Sequence, residues 1–309
     1  MNREWFNDIM SEEAEYVESF EPKDEASAKI KSELLDYFRQ HKFEARKPGE
    51  SDFTAEEMMQ LQETVHKRYT TGLAEIPDTD DDVYYDAEEC AAILNRCLQA
   101  TGMAEAGWVC SVNAKKANPV TSIDNLALYL PSNTRRNAYE LRKLWLHEGE
   151  VHIRRGFNGK KTGVAPLAEG TANYADVEEG LGVLLECIEA GSIKDSPAYA
   201  RARDRYITAG LALGIDGVPK DGRQTYEIMW RLLALRNAKN GEIPREVLSS
   251  AKNQATVHDE NAFRGTNFAM PGVIYSKLKV YYEGMRGNIK YIKQNMHRLD
   301  EALDDATMG

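Results

Sequence analysis

Two histidines that flank a glutamate are the residues of this chain with the clearest chemical potential. They lie in the stretch Trp145-Leu-His147-Glu148-Gly-Glu-Val-His152. A hydrolytic zinc site needs three protein ligands, an open position for water, and a base that takes the proton of that water. Imidazole and carboxylate groups supply these parts. The stretch therefore predicts a Zn2+ site that uses His147 and His152, with the carboxylate of Glu148 beside them.

The spacing of the two histidines sets a condition on this site. His152 follows His147 by five residues, whereas the common His-Glu-x-x-His helix places its histidines four apart on one face. In a regular α-helix five residues turn about 500°, which leaves the second histidine roughly 140° from the first. A π-bulge at residues 149–151 would bring them together, and such bulges concentrate at functional sites. If the helix is regular, Glu148 and His152 form only a structural pair.

A second acidic element, Glu178-Glu179-Gly180-Leu181, offers a third ligand. Its surroundings are apolar and predict a largely buried helix, where a carboxylate is costly unless a cation or a metal receives it. Glu179 directly precedes Gly180, which would let a metal or another backbone come close, so Glu179 is the preferred candidate and Glu178 the alternative. The structural interpretation is that both acids lie on a solvated edge.

Composition limits the class of protein. The chain has 309 residues, of which 42% are hydrophobic and 29% charged, as is typical of a soluble globular protein. The net charge of -11 argues against general nucleic-acid binding, which needs a basic surface. We find no apolar run long enough to span a membrane, no secretion signal at the charged N-terminus and no Cys-x-x-Cys pair among the four cysteines. These features predict a reduced, cytoplasmic setting.

An acidic segment divides the chain. Residues 75–89 contain eight acids and no base, which is typical of a solvated connector, although an acidic binding surface is the alternative. We therefore predict an N-terminal helical region with this connector at residues 1–85 and a catalytic domain at residues 86–309. Within the first region, Lys47-Pro48-Gly49 is expected to end a helix.

The elements around the motif are expected to be short strands and helices. Residues 108–112 and 126–130 favour β-structure and predict two strands of a small sheet. The second strand directly precedes the motif helix, and we expect it to be an edge strand that holds a substrate backbone. The glycines in residues 156–163 predict a loop, and a helix should resume near Tyr174. From residue 197 onward the chain is predicted to be almost all helix, giving a predominantly helical α+β fold.

Three elements of the sequence, in the same order, resemble the microtubule-associated tyrosine carboxypeptidase (MATCAP) family. They are His147-Glu148-x-x-x-His152, then Glu178-Glu179-Gly180-Leu181, then Arg264-Gly265 followed by Tyr275-Ser-Lys277-x-x-x-Tyr281-x-x-Gly284. The chain departs from the family pattern at several places. Gly-Glu-Val stands between Glu148 and His152 where relatives usually carry Ile-Gly-Thr, Glu178 replaces a Gln, and Leu278 replaces an acid.

This resemblance implies an activity and a set of ligands. It implies that His147, His152 and Glu179 hold Zn2+ and that Glu148 is the general base and acid. It also implies release of a C-terminal residue from a peptide or protein, which is tyrosine from tubulin in the animal members. The fold implied is a zincin-like catalytic core with a small β-sheet and a distorted His-Glu-x-x-x-His helix.

The third element implies residues that bind the substrate. Arg264 and Lys277 are candidates for holding the terminal carboxylate, a task that suits cations. Tyr281 is a candidate for donating a hydrogen bond to the developing oxyanion. The structural interpretation is that Arg264 pairs with a neighbouring acid and that Lys277 is simply exposed.

Rival functions stay open at this point. One is a non-enzymatic helical scaffold in which the motif histidines are structural and the acidic segment binds a partner. Others are a zinc endopeptidase and a metal-dependent hydrolase of something other than peptides.

Overall fold

The computed structural model describes residues 1–43, 52–170 and 174–308. Its α-helices, in chain order, are α1 (Arg3–Ser19), α2 (Glu25–Gln40), α3 (Ala55–Arg68), α4 (Thr70–Leu73), α5 (Ala87–Ala100), α6 (Ala138–Leu144), α7 (Arg154–Thr162), α8 (Ala165–Glu169), α9 (Tyr174–Glu189), α10 (Pro197–Leu213), α11 (Gly222–Arg236), α12 (Arg245–Ala262), α13 (Leu278–Gln294) and α14 (Leu299–Met308). A π-helix, Trp145–Ile153, lies between α6 and α7, and 3₁₀ turns occur at Ala104–Ala106 and Met296–Arg298. The strands are β1 (Tyr84–Tyr85), β2 (Val109–Val112), β3 (Val120–Ser122), β4 (Ala127–Leu130) and β5 (Arg136–Asn137). The predicted α+β class, predominantly helical, is confirmed.

The chain forms two compact units. The first comprises residues 1–50 and 200–283, and the second comprises residues 51–199 and 284–309. This division differs from the predicted boundary at residue 85, because residues 51–85 belong to the same unit as the histidine motif. That residues 86–309 act as the catalytic domain stays a prediction. The helix end expected at Lys47-Pro48-Gly49 lies outside the described residues.

A three-stranded sheet in the second unit has the order β2-β4-β3. Strands β2 and β4 are the two that the sequence predicts, and they pair in parallel. Strand β3 was not predicted, and it pairs with β4 in antiparallel register, with Thr121 opposite Leu128. The expectation that residues 126–130 form an edge strand was wrong, since β4 is central and Leu126 lies outside it with a φ of 51°. Within this sheet, the edge strand closest in sequence to the motif is therefore β3.

The helices around the motif follow one another without interruption. Asn137 caps α6 in a reciprocal capping box with Glu140, and α6, the π-helix and α7 then run from residue 138 to residue 162. The loop predicted at residues 156–163 was wrong, because α7 continues to Thr162. Gly156 and Gly159 mark close packing, whereas Gly163 ends α7 with a φ of 73°. A Cβ on Gly159 would lie 2.4 Å from the backbone of Leu167 and Ala168.

The apolar core of the second unit fixes the back of the motif. Leu141 and Trp145 are fully buried in a cluster that also contains residues of α5 and of the sheet. Cys90, Cys97 and Cys110 lie in this cluster, and all four cysteines of the chain are buried. Among the described residues, no helix is long and apolar enough to cross a membrane.

Candidate functional site

The motif helix is distorted in the way that its spacing requires. Residues Trp145–Ile153 form a π-helix, whose hydrogen bonds join residues five apart instead of four. His147 and His152 therefore lie one above the other on the same side, with ring centroids 5.1 Å apart. The distortion predicted at residues 149–151 is confirmed, and it extends over the whole motif. The regular helix that would have separated the histidines is excluded.

Helix α9 packs against the π-helix and presents a carboxylate face to it. Glu179, Gly182 and Glu186 recur at helical spacing, so they share one side of α9. The imidazole of His147 lies over Gly182, where an added Cβ would be 2.7 Å from Nε2. Only glycine at this position leaves room for the ring. Glu179 and Glu186 lie about one helical turn away from Gly182, one on each side.

Both histidines have a carboxylate from α9 at Nδ1. His147 Nδ1 donates a hydrogen bond to Glu186 at 2.7 Å, and His152 Nδ1 lies 2.9 Å from Glu178. Glu178 also accepts a hydrogen bond of 2.7 Å from Arg155 Nε. Burial raises the pKa of Glu178, but His152 and Arg155 outweigh it and hold this pKa below its usual value. In the neutral imidazole, a proton on Nδ1 leaves the lone pair of Nε2 available to a metal ion.

The Nε2 atoms of both histidines face one oxygen atom. Glu179 Oε2 lies 3.9 Å from His147 Nε2 and 3.9 Å from His152 Nε2. These distances exceed a hydrogen bond, whereas bond lengths of about 2.1 Å and tetrahedral angles separate two ligands of one zinc ion by about 3.4 Å. The two distances are compatible with Glu179 as a third ligand, whereas the ligand atoms that lie within 4.8 Å of one another are those of His147, Glu148 and His152. Burial lowers the pKa of His147, but the carboxylates of Glu179 and Glu186 outweigh burial and raise this pKa to about 10.

Glu148 is a second carboxylate beside the histidines. One ligand atom from each of His147, Glu148 and His152 lies within 4.8 Å of the others. Glu148 Oε2 accepts a hydrogen bond of 2.6 Å from the hydroxyl of Thr121, on the edge strand β3. Glu148 thus lies near the ring nitrogens and is held by a residue of the sheet. This position suits either a ligand or a base.

Glu150, the other acid of the motif, points away from the histidines. It is fully buried and accepts hydrogen bonds from Trp145, at 3.0 Å, and from Arg154. Burial raises its pKa, although Arg154 and Trp145 oppose this effect. A role of Glu150 at the metal, which would require its side chain to point inward, is not supported.

Two cavities adjoin strand β3. The first has a volume of about 350 Å3 and is lined by β3, the turn after it, Lys116, Tyr129 and Glu169. The second, of about 390 Å3, shares Ile123, Asp124 and Glu169 with the first and extends to residues 159–164. Thr121 lines the first cavity and also holds Glu148. Thr121 is therefore a direct link between the lining of the first cavity and Glu148, the candidate base.

The residues expected to bind substrate lie in the first unit. Arg264 donates a hydrogen bond of 2.7 Å to Asn261 and lies over the ring of Tyr275. The guanidinium carbon of Arg205 lies over the ring of Tyr281, 4.8 Å from the centroid of that ring. Lys277 is partly buried just before α13. Arg264 thus contacts an amide oxygen, not the neighbouring acid that the structural interpretation expected. The roles of Arg264, Lys277 and Tyr281 stay predictions.

The last glycine of the third family element, Gly284, contacts the second element at Gly180. Gly284 on α13 and Gly180 on α9 lie in the same unit, and a Cβ on Gly180 would come within 2.1 Å of the Gly284 backbone. Gly180 was expected to let either a metal or another backbone come close, and the structure places the backbone of Gly284 there. The two helices cross in close contact next to Glu179.

Sequence reasoning missed Thr121 and Glu186. Glu186 follows Glu179 by seven residues, which is two helical turns, so the periodicity of α9 could have placed it on the same face. Thr121 gave no such signal, because it contacts Glu148 only through the pairing of β3 with β4.

Comparison with known families adds an independent observation. The model of the microtubule-associated tyrosine carboxypeptidase family matches residues 36–198, which is just over half of the chain. The chain belongs to this family. The match includes the histidine motif and Glu178-Glu179, and it ends before Arg264. Comparisons with curated proteins and with solved structures gave no match. Membership in a carboxypeptidase family supports a peptidase.

Proposed function

We propose that this protein is a zinc-dependent carboxypeptidase that releases a C-terminal residue from a peptide or a protein. The observation that carries the proposal is the convergence of His147 Nε2, His152 Nε2 and Glu179 Oε2, with both nitrogens 3.9 Å from the same oxygen. Two imidazoles and one carboxylate are the protein ligands of many catalytic zinc sites. Glu179 is the proposed third ligand, since Glu178 is engaged with His152 Nδ1 and Arg155.

Bound zinc would supply Lewis-acid activation of the water and of the scissile carbonyl. Glu148 accepts the proton of the attacking water and then delivers it to the leaving amine, which is the work of a general base and acid. Thr121 holds one oxygen of Glu148 at 2.6 Å. Because an orientation fixed in advance avoids reorganisation during the reaction, this hydrogen bond aids proton transfer.

Substrate binding is proposed along strand β3. An edge strand offers unpaired backbone groups with which an extended peptide can pair, and β3 lines the cavity that reaches Thr121. Arg264 and Lys277 are proposed to hold the terminal carboxylate and Tyr281 to stabilise the oxyanion, on the strength of their family motif. Tyrosine, which the name of the family specifies, is the first terminal residue to test.

Blocking the substrate's C-terminus tests the exopeptidase reaction. We expect cleavage of peptides with a free terminal carboxylate and loss of cleavage when the same peptides are amidated, because amidation removes the charge that cations recognise. Mass spectrometry of a peptide set that differs only in the last residue measures both the reaction and the preference. Equal turnover of free-acid and amidated peptides would identify an endopeptidase instead.

A further inference from the structure

The side of α9 that faces the motif does more than supply one candidate ligand. Glu179, Gly182 and Glu186 lie on this face, and the ring of His147 lies directly over Gly182. Glu186 accepts the Nδ1 hydrogen bond of His147 at 2.7 Å, while Glu179 lies beyond Nε2 at 3.9 Å. The ring thus has one carboxylate at each nitrogen and no space to tilt toward α9.

The contacts at Nδ1 and Nε2 of His147 differ in length, and this difference indicates a different role for each nitrogen. The short contact to Glu186 is a hydrogen bond, so Nδ1 of His147 carries the proton. The contacting oxygen of Glu186 accepts this hydrogen bond. The longer contact to Glu179 leaves room for an ion between the two atoms. The side chains of His147, Glu179 and Glu186 are only 12–14% exposed, so water competes weakly for these contacts.

We propose that Glu186 and Gly182 are positioning residues that hold His147 in the tautomer and orientation needed for zinc. This inference rests on the proposed function. Glu186 fixes the proton on Nδ1 and increases the electron density at Nε2, as carboxylate partners of metal-bound histidines do. Gly182 provides the space in which the imidazole lies flat against α9.

Zinc affinity tests the role of Glu186. Loss of an outer partner of a ligating histidine typically weakens metal binding by about 10- to 100-fold. We expect Glu186→Ala to raise the zinc dissociation constant by that factor in competition with a chelator, and to alter the visible spectrum of the Co2+-substituted protein. Glu186→Gln should recover part of the affinity, because its amide oxygen can still accept the Nδ1 hydrogen bond.

A matched control separates positioning from a general weakening of α9. Glu189, on the same helix, accepts hydrogen bonds from His66 and Arg142 at 2.6 and 2.7 Å. Glu189→Gln should therefore lower thermal stability while leaving zinc affinity and the Co2+ spectrum at the parental values. An effect of Glu189→Gln equal to that of Glu186→Ala would overturn the positioning role.

Two alanine substitutions test the role of Gly182. Gly182→Ala places a methyl group 2.7 Å from His147 Nε2 and should weaken zinc binding by a similar factor. Gly287→Ala is the control, since a Cβ there meets no atom within 4 Å, and its zinc affinity should be parental. If Gly182→Ala fails to fold, the Glu186 series still decides.

The outcomes distinguish this inference from the proposed function. If the parental protein binds zinc and Glu186→Ala binds it equally well with an unchanged Co2+ spectrum, the positioning role is wrong and the peptidase proposal stands. If the parental protein takes up no zinc, the proposed function is wrong and the positioning role with it.

Discussion

Replacement of Glu148 by glutamine is expected to leave zinc bound and to lower kcat by about 10²- to 10⁴-fold, the usual contribution of a general base. Glutamine keeps the size of the side chain and can still accept the hydrogen bond from Thr121, but it cannot take up a proton. Steady-state kinetics on a free-acid peptide, together with metal analysis of the same preparation, measure both quantities.

This substitution also separates the two tasks open to Glu148. Its carboxylate lies within 4.8 Å of the ligand atoms of both histidines, so a ligand role would make Glu148→Gln lose zinc as well as activity. Glu150→Gln is the matched control in the same π-helix, because Glu150 is bound by Trp145 and Arg154 and should retain hydrolysis. Hydrolysis by Glu148→Gln at the parental rate would eliminate the assignment of the base.

Replacement of Asp259 by asparagine is expected to remove a large pH dependence of stability. Asp259 on α12 is 1% exposed, and neither of its carboxylate oxygens has a hydrogen-bond partner among the described residues. Burial raises its pKa from 3.8 to about 8. The folded state therefore holds a proton that the unfolded state releases near pH 4, so the stability from this group is greatest below pH 4 and is lost as the pH rises to about 8.

Between pH 5 and pH 9 this group alone lowers the free energy of unfolding by about 4 kcal/mol. The stability advantage of Asp259→Asn over the parent should consequently be about 4 kcal/mol larger at pH 9 than at pH 5, as measured by chemical denaturation at both pH values. Glu260→Gln, which removes an exposed carboxylate of the same helix, should follow the parent at both. A parallel pH dependence of Asp259→Asn and parent would show that Asp259 is not protonated in the folded state.

The histidine spacing was the most informative feature of the sequence. Five residues cannot converge on one side of a regular helix, so the pattern allowed either a distortion or no site. The distortion follows from local geometry, and the structure has it over Trp145–Ile153. The apolar period of α9 likewise placed Glu178 and Glu179 on a buried helix facing the motif. These features are local, and local periodicity is what a sequence displays directly.

Features that depend on pairing between distant segments could not be predicted from the sequence. Strand β3 is three residues long, and only its register with β4 makes it an edge strand with Thr121 next to Glu148. The glycines in residues 156–163 predict a loop, but tertiary contacts of Gly159 with the backbone of α8 offset the low helix propensity of glycine. Which of Glu178 and Glu179 is the third ligand stays a proposal. The two are adjacent in sequence, and only the contacts of Glu178 with His152 and Arg155 favour Glu179.

Zinc content tests the central claim most directly. Metal analysis of the purified protein should give about one zinc per chain, and His147→Ala should lose it, since one of three ligands is removed. A parental protein that takes up no zinc even when zinc is supplied, or a zinc content unchanged in His147→Ala, would contradict the account and favour a scaffold in which the histidines are structural.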